Sequence, residues 1–149
     1  MIERLPGCGA ASFKTKKMIE QIKQELIGYL KMIETFDKDS SQDGNALHSY
    51  LIQLTNIGAR ANYLRAEYQR EFRMNKKKAY QTLTASSHSQ QQYFAPSLAK
   101  DFVDSCCYES GYMVDLAERT AAQAVHTIDA VRTIISSLKS ERQFAGYNA

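Results

Sequence analysis

The stretch NALHSYLIQLTNIGARANYLRAEYQREFRMNKKKAYQTLTA, Asn45 to Ala85, decides the fold. Leu47, Tyr50, Leu54, Ile57, Ala61, Leu64, Tyr68 and Phe72 follow one another at steps of three and four. That spacing returns to the same side of a helix turning ~100° per residue. The sequence predicts one long helix, about 60 Å at ~1.5 Å per residue. Beyond Phe72 the seam thins to Ala79 and Leu83, so the last turns are expected to be less firmly held.

The flanks repeat the pattern. Upstream, Ile19, Ile22, Leu26, Tyr29, Ile33 and Phe36 form a heptad-like seam widened by Ile27 and Leu30, predicting a helix over about 13–36. Ser12 or Thr15 is its candidate cap. Residues 37–44 are polar and end in Gly44, a short loop that predicts an antiparallel return, with Asn45 capping the next helix. Thr84 to Ala95 is rich in Ser and Gln and reads as a loop anchored by Tyr93 and Phe94. Pro96-Ser97 then opens a third helix over about 97–145, with Gly146 as its C-terminal cap and Gly111 as a candidate bend. Its seam runs through Phe102, Cys106, Met113, Ala117, Ala121, Ala124, Ile128, Val131, Ile135 and Leu138. Residues 1–11, with Pro6, Gly7 and Gly9, read as a flexible arm, and 12–149 as a single helical domain.

The expected fold is therefore all-α: a long antiparallel hairpin (about 45–85 and 97–145) with a shorter first helix along residues 45–64 and 117–138. The far end of the hairpin is expected to have only two layers. Phe72, Leu83, Phe94, Leu98 and Phe102 would then be exposed there and suited to self-association, giving a homo-oligomer.

Composition narrows the function. With 149 residues, 44% hydrophobic and 23% charged, the chain is long enough to bury a core of its own. Three cysteines, two of them adjacent, form no disulfide framework and point to a reducing, cytoplasmic setting. Cys8 follows too few residues for a lipoprotein signal, and no apolar run has the length of a membrane span. His48, His88 and His126 are scattered, and no Glu precedes a His by three, so no metal site or cofactor is assigned. Cys107 and Ser110 lie several helical turns from His126, and no phosphate-cradling glycine loop occurs, so no catalytic residue is assigned and an enzyme is not expected.

Charge is more informative. The net of +3 arises from the middle segment, where Arg60, Arg65, Arg70, Arg73, Lys76, Lys77 and Lys78 face only Glu67 and Glu71. Arg70, Arg73 and Lys77 fall opposite the apolar seam as one stripe, with Arg60 and Lys78 at its flank and Tyr63 and Tyr80 near it. Cations that track phosphates and rings that stack bases are the requirements of a single-stranded nucleic-acid site. The competing expectation is that Lys76–Lys78 are neutralised by Asp101, Asp104 and Glu109 at the start of the third helix, leaving a purely protein-binding or structural adaptor.

Ala59-Arg60-Ala61-Asn62-Tyr63, together with Arg132, Ile135 and Arg142-Gln143-Phe144-Ala145-Gly146, resembles the T-even-type phage recombination mediator family UvsY. The sequence departs from that pattern at Gly58 and Leu64. The resemblance implies a small helical oligomer that binds single-stranded DNA in the host cytoplasm. It also implies a protein partner, a recombinase or a single-stranded-binding protein, and DNA contact at Arg60 and nearby basic residues.

Overall fold

In the computed structural model the described residues are 13–35, 43–90 and 95–147. They form three helices: α1 (Phe13–Glu34), α2 (Gly44–Gln90) and α3 (Pro96–Tyr147). No strand occurs among the described residues. None of the helices is long and apolar enough to cross a membrane. The arm at 1–11, the loop at 37–42 and the Tyr93-Phe94 pair lie outside the described residues.

The helix ends differ from expectation for local reasons. Asp43, not Asn45, caps α2: its Oδ1 accepts the Asn45 N–H at 3.0 Å, and its carbonyl accepts the Leu47 N–H at 3.0 Å. Asn45 is already inside the first turn. Pro96 is the first residue of α3, where its missing N–H costs nothing, and the Ala95 carbonyl accepts from Ala99 at 3.1 Å. Ser97 is therefore helical rather than a cap, as are Thr15 in α1 and Gly146 in α3. The expected loop at 84–90 is helix instead. Nothing there is a glycine or proline, and Thr82 and Thr84 satisfy their hydroxyls on the carbonyls of Lys78 (3.0 Å) and Tyr80 (2.9 Å), one turn back.

The described chain packs as two units. One contains residues up to Lys23 together with Leu64–Asp115; the other contains Gln24–Tyr63 and the residues from Leu116 onward. In the second unit α2 runs antiparallel to α3, with α1 alongside. Ile33, Leu47, Tyr50, Leu54, Ile57, Ala124 and Val131 form its buried cluster, flanked by Tyr29, Ile128, Ile135 and Leu138. The close approach occurs at Gly58, where an added Cβ would lie 3.6 Å from that of Ala124.

In the first unit the α2–α3 pair is again antiparallel. Ala79, Leu83, Val103 and Cys107 are buried together, with Phe72, Ala99, Phe102 and Cys106 packed against them. Gly111 lies within α3 as a contact point: a Cβ there would sit 3.4 Å from the Phe72 ring. Two expectations are corrected. The first half of α1 belongs to this unit, where Lys23 Nζ sits 5.4 Å from the centre of the Tyr112 ring, rather than to the unit of residues 45–64. Leu83 is buried and Phe72 and Phe102 are half-buried in the chain's own cluster, while Leu98 remains 61% exposed. α3 also buries a second row, Val103, Cys107, Ser110, Leu116 and Thr120, beside the expected seam. A helix with neighbours on two sides needs the broader stripe.

Candidate nucleic-acid interface

The rotation of α2 in the 64–115 unit is fixed by specific contacts on its inward side. Asn75 Nδ2 donates to Ser110 Oγ at 3.4 Å, and the Cys107 thiol reaches the Phe72 carbonyl at 4.0 Å. Ser110 in turn donates to the Cys107 carbonyl at 3.1 Å, which leaves its oxygen free to accept. With Phe72, Asn75, Ala79 and Leu83 turned inward, the period of the helix places Arg70, Arg73 and Lys77 roughly opposite.

All three are exposed, as are Lys76 and Lys78. None of the five takes part in an ion pair among the described residues. Asp101, Asp104 and Glu109 are exposed too and do not pair with the lysines, so the expected neutralisation of Lys76–Lys78 is corrected. The acids of α3 lie on a side turned away from α2, because Val103, Cys107 and Ser110 occupy the side that faces it.

The stripe has relief. Ala66, Gln69, Arg70, Arg73, Met74 and Lys77 border a shallow open groove of about 480 Å³. A second hollow of about 550 Å³, bordered by Lys77, Tyr80, Gln81, Thr84 and Ala85, continues it past Lys77. Met74 is 49% exposed and Tyr80 51%, so the cations alternate with apolar surface that a base could rest on. Sequence reasoning found the cations and Tyr80 but missed Met74 and Gln69. Both follow from continuing the same face at steps of three and four.

Arg60 and Tyr63 belong to a different arrangement in the other unit. Arg60 Nε and Nη2 donate to the two carboxylate oxygens of Glu25 at 2.9 and 3.3 Å, and Tyr29 donates to Glu25 Oε1 at 2.9 Å. The Arg60 guanidinium also lies 5.9 Å from the centre of the Tyr63 ring. This forked pair ties α1 to α2. Its hydrogen bonds with Arg60 hold the Glu25 carboxyl below the usual carboxylate range, while burial, and then the bond to Glu25, push the Tyr29 phenol up. Arg60 is therefore engaged, unlike Arg70, Arg73 and Lys77, although Tyr63 remains exposed.

The lowered Glu25 carboxyl makes a pH prediction. The ionised form is favoured by folding, so its contribution is present above the ordinary carboxylate range and is lost as pH falls through the depressed value. Both partners are partly solvated, which limits the effect to about 1 kcal/mol or less. Urea unfolding of Glu25→Gln should show a deficit near neutral pH that narrows as pH falls below the ordinary carboxylate range. A deficit independent of pH would remove the ion pair as its cause.

Gly58, one of the two departures from the mediator pattern, is buried against Ala124. A Cβ there would meet Ala124 in ordinary van der Waals contact, at 3.6 Å. Compared with protein-family models, curated proteins and solved structures, the chain matches none of them.

Proposed function

We propose that this is an oligomeric helical protein that binds single-stranded nucleic acid along the outer face of α2, as a mediator-like accessory of phage recombination or replication acting in the host cytoplasm. The observation that carries the reading is the exposed stripe of Arg70, Arg73 and Lys77, free of ion pairs among the described residues and interleaved with Met74 and Tyr80. The cations neutralise successive phosphates, and the thioether and ring offer apolar rests for bases. Lys78 extends the charge at the flank. Arg60 and Tyr63 are secondary contacts, because the Arg60 guanidinium is shared with Glu25. A recombinase or single-stranded-binding protein is the partner implied by the mediator resemblance. The second reading, a protein-docking adaptor, draws on Leu98 and Tyr108, which stand exposed on α3.

Titration of a fluorescent oligonucleotide tests the first reading. Three phosphate contacts per chain give a slope of log affinity against log salt of about −2, so affinity should fall about twentyfold between roughly 50 and 200 mM salt. Absence of binding at the lower salt concentration would leave the adaptor reading in its place.

A further inference from the structure

The 64–115 unit carries a second unpartnered charged face. On α3, Leu98, Asp101, Asp104 and Tyr108 are all exposed, at steps of three, three and four, with Leu98 at 61% and Tyr108 at 75%. Asp101 and Asp104 take part in no ion pair among the described residues. This face lies away from α2, just as the basic stripe of α2 lies away from α3, so the two cannot meet within one chain. They are complementary in sign, in apolar content and in spacing.

We propose that a second copy of this chain docks its acidic α3 face on the basic α2 face of the first. The register is set by the residues. With the two helices antiparallel, setting Lys77 beside Asp101 brings Arg73 beside Asp104, Arg70 over the Tyr108 ring and Tyr80 against Leu98. Three of the pairs share one offset and Arg73 lies within one residue of level with Asp104; two are ion pairs, one a cation on an aromatic face and one apolar. Within the chain Phe72 meets Gly111 and Asn75 meets Ser110. The contact between copies is displaced from that pairing by only about 9 Å, six residues of helix rise. Neighbouring copies therefore share one orientation, with α2 and α3 alternating from chain to chain.

Because the two faces differ, the contact is head-to-tail. Each copy keeps one face open, and assembly proceeds until the rotation between copies closes a ring, or continues as a filament if it does not. The inference does not rest on the nucleic-acid reading. A strand and a neighbouring chain would compete for the same stripe, so nucleic acid would bind an oligomer at the stripe left uncovered at the end of an open assembly, or by displacing a neighbour.

Charge exchange tests it in the absence of nucleic acid. One variant carries Arg73→Glu and Lys77→Glu, the other Asp101→Lys and Asp104→Lys. All four positions are exposed, and circular dichroism verifies that both variants keep the helical fold. In sedimentation velocity at low salt, the wild-type weight-average mass should rise with concentration beyond two chains of 16.9 kDa and fall as salt is added. Each variant alone should sediment as a single chain. Their equimolar mixture should regain the assembly, since each then offers the face the other lacks. A monomeric wild type, wild-type assembly strengthened by salt, variants that associate unaided, or a mixture that stays monomeric would each overturn the proposal. Oligonucleotide binding is read separately, so failure of one inference is distinguishable from failure of the other.

Discussion

With alanine at position 54, the protein is expected to lose about 2–5 kcal/mol of stability, out of a total of about 5–15 for a domain of this kind. Leu54 has no exposed surface and lies in the cluster of Ile57, Ala124 and Val131. Removing its three outer carbons forfeits their transfer from water and leaves a cavity. Relaxation is limited because Leu47, Ile57, Ala124 and Val131 in the same cluster are themselves buried and packed, which restrains the helices from closing the gap. Urea unfolding monitored by circular dichroism measures the loss. Ile52→Ala, two residues away at an exposed position, should change stability by less than about 0.5 kcal/mol. Equal costs at 52 and 54 would mean that α2 is rotated differently from the packing described.

Replacing Arg70, Arg73 and Lys77 together by alanine is expected to have the largest effect on nucleic-acid binding. Each lost phosphate contact removes about 0.7 from the salt slope, so the slope should flatten by about 2. By the same relation, extrapolated from about 1 M, affinity at about 50 mM salt should fall by roughly a few hundredfold. Stability should change little, because all three side chains are exposed and none is in an ion pair among the described residues. Arg132→Ala serves as the control. It removes a cation from the other unit, one already paired with Asp129 at 3.6 Å, and should leave the slope unchanged. If the triple variant keeps the wild-type slope, the stripe is not the binding surface.

The three helices were legible because their apolar residues recur at helical spacing. From Leu47 to Tyr68 the expected seam matches the buried hydrophobic side chains position for position, with Gly58 buried beside it. What escaped reading was polar. Ser110 and Thr120 line the core of α3, their hydroxyls hidden on the Cys107 and Leu116 carbonyls at 3.1 and 2.8 Å. A search for apolar periodicity passes over such residues, and the second buried row with them. The Ser- and Gln-rich end of α2 failed for a related reason: composition favours a loop there, but the Thr hydroxyls serve the helix rather than compete with it. In the candidate site, the outward turn of Arg70, Arg73 and Lys77 followed from angle alone. The Glu25 clasp on Arg60 did not, since it depends on how α1 and α2 are aligned. The direction in which the acids of α3 point likewise required the packed positions of Val103 and Cys107.

The two units also differ in when they can be completed. Asn75 meets Ser110, and Phe72 meets Cys107, across 35 residues of chain. Leu47 and Val131, in the other unit, are more than twice as far apart along the sequence. Closing the longer loop costs roughly 0.5–1 kcal/mol more in chain entropy. Synthesis from the N-terminus adds to the asymmetry, because every residue of the 64–115 unit has been made before Leu116 is added. The half that carries the basic stripe can therefore assemble on a nascent chain, while Leu47 and Leu54 wait, with only α1 to cover them, for the residues from Leu116 onward to emerge.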